Sequence, residues 1–265
     1  MGGLPCDMSR KAKLAERIIY ASKATKIAKA SRLGIVVSAV LTFLIFAVSY
    51  YGEVVGNFTF RIDKRDYEAG LSLVKDPDTQ QFTSVLNAEK VEGADGMTAF
   101  CGTDETPYSI GDPVCIPLDE EITSVNGAHN GPSYLAYTFY LANAGIRVVD
   151  LEASINLISF TKGAEDSVRV RIIINDIGTT YAKVQSARGV SPGSPELGTV
   201  PFAGQFEVMN EKFPAFDIGE LVKITVLVWY EGEDADHNNN ILGGGVKMDM
   251  EFHITYVYDE ADTQP

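Results

Sequence analysis

Carboxylate and amide side chains are concentrated in one stretch near the C-terminal end, residues 231–240, which read EGEDADHNNN. Such oxygen atoms are the hard ligands that Ca²⁺ prefers, and the candidate ligands are Glu231, Glu233, Asp234 and Asp236. The spacing does not match an EF-hand loop, and an exposed acidic loop between two strands is an ordinary feature of soluble domains. The stretch is therefore interpreted either as a calcium loop or as a solvated loop, and no other cofactor is predicted.

The three histidines, His129, His237 and His253, lie far apart in the sequence and do not form H-E-x-x-H, the helical pattern of many zinc peptidases. The glycine run at residues 243–245 precedes an alternating segment and is not followed by Lys-Ser/Thr, so it is interpreted as a turn and not as a phosphate-binding loop. The sequence therefore predicts no catalytic residue, and it favours a protein that is not an enzyme.

Three cysteines are present, and two of them, Cys101 and Cys115, lie 14 positions apart. In an oxidising compartment these two are predicted to form a disulfide, which would stabilise the fold by roughly 3 kcal/mol through loop closure. A free pair or a metal site is the alternative, although the further Cys or His spacing of a zinc site is missing. Cys6 lies in a basic tail and is predicted to stay reduced.

The side of the membrane on which these groups lie is predicted from an uncharged run of 19 residues, 33–51, which read LGIVVSAVLTFLIFAVSYY. A helix of this length spans close to the roughly 30 Å hydrocarbon layer of a bilayer. Residues 1–32 carry eight basic and two acidic side chains, a net charge of +6. By the positive-inside rule this tail is cytoplasmic, and everything after about residue 52 is outside.

The apolar run is interpreted either as a retained anchor or as a cleaved signal. Small residues at Ala47 and Ser49 suit a signal peptidase, which would release a secreted protein after Ser49. The run is longer than the usual 7–15 residues of a signal-peptide core, which favours a single-pass membrane protein with its C-terminal domain extracellular.

Residues 52–258 are predicted to form an all-β extracellular domain, because short segments alternate between apolar and polar side chains and are separated by turn residues. An antiparallel β-sandwich is favoured, and a closed barrel is the alternative. Residues 76–132 are poorly patterned and are interpreted as an insertion or an irregular edge, and residues 259–265 as a disordered C-terminus. The alternating segments are 54–62, 71–74, 134–141, 151–158, 168–174, 222–230 and 246–254.

The exported part carries a net charge of −20, since the uncharged run and the remainder contain 14 basic and 34 acidic side chains. A phosphate backbone would be repelled by such a domain, so no nucleic-acid partner is expected.

Several short motifs resemble a known family. Residues 137–145 read YTFYLANAG and residues 151–157 read LEASINL. This order of strand, N-x-G turn and strand resembles the centre of the camelysin/TasA family, exported surface and biofilm-matrix proteins of Gram-positive bacteria. The pieces GNFTF at 56–60, VRVRI at 168–172, WYEGE at 229–233 and ILGG at 241–244 resemble surface proteins of similar bacteria.

The resemblance implies a jelly-roll-like sandwich that assembles by donating a strand to the open sheet edge of a neighbour. Some camelysin-like members are called metallopeptidases, but no residue of this chain matches a metal-protease motif, so no catalytic role is carried over. The long basic tail differs from the short cleaved signal of that family.

Taken together, these patterns predict a non-catalytic cell-surface protein with a structural, matrix or adhesion role. Its expected partners are the membrane, other surface proteins or further copies joined through sheet edges. A membrane-bound accessory or sensor protein with an extracellular ligand-binding domain is the alternative, and an extracellular metal-dependent peptidase is the second alternative.

Overall fold

The computed structural model describes residues 35, 37–42, 58–79, 81–99 and 114–259. The chain divides into two compact units, Met1–Val54 and Val55–Pro265. In the first unit the few described residues, 35 and 37–42, are helical. Within the described residues no helix is both long enough and apolar enough to cross a bilayer. The predicted tail, most of the predicted span 33–51 and residues 260–265 lie outside the described residues.

The second unit is mostly β-structure, arranged in a five-stranded sheet, an eight-stranded sheet and a short two-stranded sheet. The strands are β1 (Phe58–Ile62), β2 (Leu71–Val74), β3 (Phe82–Thr83), β4 (Val85–Ala88), β5 (Met97–Thr98), β6 (Val114–Cys115), β7 (Gly127–Ala128), β8 (Tyr134–Asn143), β9 (Val149–Thr161), β10 (Val168–Ile174), β11 (Ile177–Ala182), β12 (Val200–Pro201), β13 (Glu207–Phe216), β14 (Leu221–Tyr230) and β15 (Gly245–Val257). The helices are α1 (Lys64–Glu68), α2 (Asp119–Thr123) and two short 3₁₀ turns, Ala164–Asp166 and Asn239–Ile241.

The five-stranded sheet has the order β13-β9-β15-β1-β4, and the eight-stranded sheet has the order β12-β11-β10-β14-β8-β2-β3, with β7 paired to β8. Most pairs are antiparallel, but β1 with β15, β11 with β12, and β5 with β6 run parallel. The prediction of a mostly β domain is confirmed, and the predicted antiparallel pairing holds in part, because the sheets are mixed. Alternation along a strand specifies which face is buried, but it does not specify the direction of the neighbouring strand.

One hydrophobic core lies between the two large sheets, because side chains from both contribute to it. Phe60 of β1 contacts Phe139 of β8 with ring centroids 4.5 Å apart, and Phe252 of β15 contacts the same ring at 6.1 Å. All three rings are fully buried, and each contributes about 1.5–3 kcal/mol by leaving water. The two sheets therefore pack face to face around an aromatic centre.

At both sides of this packing, the edge strands of the two sheets are neighbours in sequence. β3 closes the eight-stranded sheet and β4, one residue later, closes the five-stranded sheet. On the other side β12 closes the eight-stranded sheet, and β13, after five intervening residues, closes the five-stranded sheet. The hydroxyl of Tyr181 on β11 donates to Glu211 on β13 at 3.1 Å. Short connections thus join the two sheets along each side.

A third layer covers the outer face of the eight-stranded sheet. Met97 and Ile122 pack there against Ala136, Leu227 and Trp229, which point away from the shared core. The hydroxyls of two neighbouring outward residues, on β8 and β14, are hydrogen-bonded at 2.8 Å and fully buried. The described part of residues 76–132, predicted to be an insertion or irregular edge, therefore supplies the cover of this sheet.

Candidate binding face

The outer face of the five-stranded sheet carries polar side chains. In β15 the side chains of Met248, Met250 and Phe252 lie in the shared core. Since neighbouring side chains of a strand point to opposite faces, Asp249 and Glu251 point outward. His253 follows the same alternation, and it is 41% exposed at its side chain.

The strand register extends this pattern across the sheet in three rows, which together are called the polar sheet face. The first row contains Asn87, Thr59, Asp249 and Asn156. The second row contains Arg61, Glu251, Ser154 and Asn210, and the third contains His253, Glu152 and Lys212. Hydrogen bonds link neighbours within and between rows, from Thr59 to Asn87 at 3.2 Å and from Asn210 to Glu152 at 2.7 Å.

Arg61 is the central cation of this face. Its guanidinium contacts the carboxylate of Asp249 at 2.6 Å and also that of Glu251. Asp249 is buried beneath these contacts, and its Oδ1 atom has no hydrogen-bond partner within the described part of the chain. Burial raises the pKa of Asp249 and outweighs the opposing effect of Arg61, while Glu251 raises it further.

A groove of about 210 Å³ opens beside Arg61, and it is lined by Arg61, Ile62, Asp63, Glu251 and His253. The groove thus combines a guanidinium and an imidazole with two carboxylates, so a bound polar group can find both donors and acceptors.

The helix next to the groove is tied to the sheet by a buried carboxylate. Asp66 of α1 is 2% exposed, and its Oδ2 accepts a hydrogen bond from the backbone N–H of Ile254 at 3.2 Å. The same oxygen lies 3.5 Å from Nδ1 of His253, whose Nε2 lies 3.4 Å from Glu251. These contacts position His253 at the rim of the groove.

The predicted calcium residues lie elsewhere, on the loop after β14. Asp234 and Asp236 are buried, and Glu231 is buried with Oε2 accepting from the indole N–H of Trp229 at 3.2 Å. Glu233 is exposed. The fold therefore buries three of the four predicted ligands and leaves the fourth in solvent.

Arg169 of β10 provides the positive charge for this loop. It is 4% exposed, and its Nη2 lies 2.6 Å from Asp234 and 3.6 Å from Glu196. Arg188 lies 3.5 Å from Asp236. The pKa of Glu196 is raised chiefly by burial and also by the three loop carboxylates, and Arg169 lowers it. The chain thus neutralises the buried acidic loop partly with its own guanidinium groups.

Sequence reasoning did not identify Arg169 as a partner of the loop, because alternation only places it on the face opposite the shared core. That placement is right, but the side chain is buried, and it contacts the carboxylates of Asp234 and Glu196. Across the ranges that the structure describes, no group of three or more His, Cys, Asp or Glu side chains is arranged to hold a metal ion. The calcium interpretation therefore stays a prediction.

The described residues include one of the two cysteines of the predicted disulfide. Cys115 lies on β6, and it is not a free thiol. Cys101 lies outside the described residues, so its pairing with Cys115 stays a prediction. Trp229 is 2% exposed and packs in the third layer, so it is a core residue of the domain.

One further motif is present in the sequence. Gly189, Ser191 and Gly193 match the G-x-S-x-G pattern of hydrolase nucleophiles, whose serine sits between a strand and a helix. Here the serine is exposed in a turn between β11 and β12; its N–H bonds to Gln185 at 2.8 Å and its carbonyl accepts from Ser194. The described segment from this turn to β12 contains no helix. The motif therefore lacks the strand-to-helix context of a nucleophile.

Neither a family model nor a curated protein matches this chain. Similar solved structures include a selenomethionine form of the β-glucosidase from Kluyveromyces marxianus, with 11% identity and a TM-score of 0.25. The complex of that enzyme with glucose has 10% identity and a TM-score of 0.23. Each match covers 68% of this chain but only 17% or 16% of the β-glucosidase chain. Likeness at these scores carries no argument about fold or activity.

Proposed function

We propose that this chain is a non-catalytic cell-surface protein whose β-domain, held or delivered outside by residues 33–51, binds a partner through the polar sheet face. The observation that carries the proposal is the contrast between the two large sheets. The described third layer covers the eight-stranded sheet, whereas the outer face of the five-stranded sheet presents three rows of hydrogen-bonding side chains. A rigid, polar, ordered surface is the kind of surface that preorganises contacts to a partner.

The charge of the domain indicates which partner fits. On and beside the face, five carboxylates outnumber three cations: Asp63, Glu152, Glu207, Asp249 and Glu251 against Arg61, Lys212 and Lys247. The exported part as a whole carries −20. Complementary potentials steer association and suppress partners of like charge. We therefore propose a partner with a basic surface, such as another surface protein rich in lysine and arginine.

Self-association through a sheet edge is less favoured by the geometry. β13, the long edge strand of the five-stranded sheet, contains Pro214 and a register shift between Phe213 and Phe216. The charged residues Glu211 and Lys212 are exposed on the same strand. Proline, bulges and charges are the features with which proteins protect edges from pairing. These features support a partner that docks on the face and not on the edge.

The finer architecture belongs to the same proposal. A jelly-roll-like sandwich of the camelysin/TasA kind is supported by two packed sheets whose edge strands, β3 with β4 and β12 with β13, are sequence neighbours. A membrane-bound accessory or sensor protein would use the same face for its extracellular ligand, so the face is common to both interpretations.

The test measures binding of the detergent-solubilised full chain to sensor surfaces coated with poly-L-lysine, with a neutral polymer as the blank. The face variant carries Asp63→Asn and Glu152→Gln. The matched control carries Asp176→Asn and Glu120→Gln, which remove the same charge from exposed positions outside the face. We expect the face variant to lose several-fold in affinity and the control to bind like the original chain. Equal losses in both variants, with unchanged circular dichroism, would show diffuse attraction and refute the face as the docking surface.

A further inference from the structure

The first strand of the domain occupies an internal place in its sheet. β1 lies between β15 and β4 and pairs with both. Its parallel register with β15 runs from Phe58 opposite Met248 to Ile62 opposite Phe252. Its antiparallel register with β4 starts with Phe58 opposite Ala88. The strand is therefore bonded along both sides within the described sheet.

The direction of the chain gives this position a mechanical consequence. Tension on residues that precede β1, including the segment 33–51, reaches the described sheet at Phe58 and acts along the strand. Because β15 runs parallel to β1, the C-terminal end of β15 at Val257 lies at the end of the sheet opposite to Phe58. Opposed forces on the two chain ends therefore pull β1 and β15 past each other. In this shear geometry the inter-strand hydrogen bonds are loaded together and not one after another.

Side chains on both faces oppose such sliding. Phe58 and Phe60 are fully buried, and the ring of Phe60 also lies 5.1 Å from that of Tyr137 in the opposite sheet. A slip of one residue would exchange the buried and outward side chains of the strand. On the outer face, Arg61 is bonded to two carboxylates of β15, including Asp249 at 2.6 Å. Movement of β1 thus breaks backbone bonds, aromatic packing and ion pairs at the same time.

We infer that β1 is a mechanical clamp. It lets the domain withstand tension applied between the residues that precede Phe58 and the C-terminal end of β15. The inference goes beyond the proposed binding function, and it needs no identified partner. It assigns to Phe58, Phe60 and Arg61 the role of holding the strand in register under load.

The test is single-molecule force spectroscopy on the full chain in detergent. In the first geometry, handles are attached at the N-terminus and the C-terminus, so that β1 is sheared against β15. In the second geometry, the C-terminal handle is replaced by a clickable amino acid at the exposed position 89, directly after Ala88. This geometry loads the Phe58–Ala88 pair first and peels β4 from β1. We expect the first unfolding force to be several-fold higher in the first geometry, and equal forces would overturn the inference.

Two matched variants separate the clamp from general stability. Phe60→Leu alters the packing of β1, whereas Ile172→Val alters β10, which does not pair with β1. Chemical denaturation first establishes how much each variant loses at equilibrium. We expect Phe60→Leu to lower the N-to-C unfolding force and Ile172→Val to leave it unchanged at a similar equilibrium loss. A drop of the same size in both would mean that the force reports overall stability, and the clamp would be refuted. Neither result depends on binding through the polar sheet face.

Discussion

Replacing Arg169 by methionine removes a guanidinium that contacts both Asp234 and Glu196. Methionine has a similar length and is apolar, so the change removes the charge while it largely retains the volume. The side chain of Asp234 is 1% exposed, and only its other oxygen, Oδ1, is bonded to a backbone N–H, that of Asp236 at 2.8 Å. The variant therefore leaves a buried carboxylate without its cation.

The expected cost follows from that burial. Removing one partner of a buried ion pair costs about 3–5 kcal/mol, because the other charge remains desolvated and unpaired. A domain has roughly 5–15 kcal/mol of stability in total, so the loss is a large part of it. Arg171 provides the matched control on the same strand, because its pair with Asp119 is partly exposed at 23% and 37%. The pair is bidentate, but water still solvates both groups, so Arg171→Met is expected to cost clearly less than Arg169→Met.

The measurement is urea denaturation at neutral pH, followed by circular dichroism, for both single variants and for Arg169→Met combined with Asp234→Asn. Removing both charges leaves no unpaired carboxylate at position 234, so the double variant is expected to be more stable than Arg169→Met alone. A loss below about 1 kcal/mol for Arg169→Met would refute the reasoning that this ion pair is desolvated. A double variant that is less stable than the single one would refute it as well.

Three further changes test other parts of the fold. Phe139→Ala removes the ring at the centre of the shared core and is expected to cost about 3–5 kcal/mol, whereas Ile146→Ala, at a position 87% exposed, is expected to stay within about 0.5 kcal/mol of the original chain by urea titration. Asp249→Asn tests the raised pKa: the folded state binds this proton more tightly than the unfolded chain, so the contribution of Asp249 to stability falls as the pH rises from the usual value of 3.8 through the raised pKa. Urea midpoints across this window are expected to show a flatter pH profile for the variant, and an unchanged profile contradicts the assignment. Gly70→Ala places a Cβ 2.2 Å from Cα of Gly145 at a φ of +109°, whereas Gly219→Ala has a φ of +79° and open space; both are expected to lose roughly 1–3 kcal/mol to backbone strain, Gly70→Ala more because of the overlap, and equal losses contradict the close approach.

Strand positions were largely predictable because burial imposes a period of two on half-buried strands. The predicted segments 71–74 and 168–174 coincide with β2 and β10. The segments 151–158 and 246–254 lie within the longer strands β9 and β15. The edge strand β13 was not predicted, because its sequence EVMNEKFPAF breaks the alternation at a bulge and a proline. An edge strand has a neighbour on one side only, so its pattern is less constrained.

The candidate site was likewise predictable from the sequence only in part. Alternation in β15 alone places Asp249, Glu251 and His253 on one polar face. It does not show that Arg61, nearly 190 positions earlier, lies between two of these carboxylates, because the parallel pairing of β1 with β15 is a non-local contact. The acidic loop was likewise recognised by its composition, whereas its cation, Arg169, belongs to a strand some 65 positions before it.

What the sequence by itself determined is the mostly β character of the second unit, the face that each main strand buries and the acidity of the domain, because these depend on local periodicity and composition. Only the tertiary structure decided which strands are neighbours, which sheet face is covered and which ions are paired. Those properties depend on contacts between residues that are distant in the sequence. Arg169, for example, has the alternation pattern of an exposed side chain, but in the fold it is buried and paired with an acidic loop.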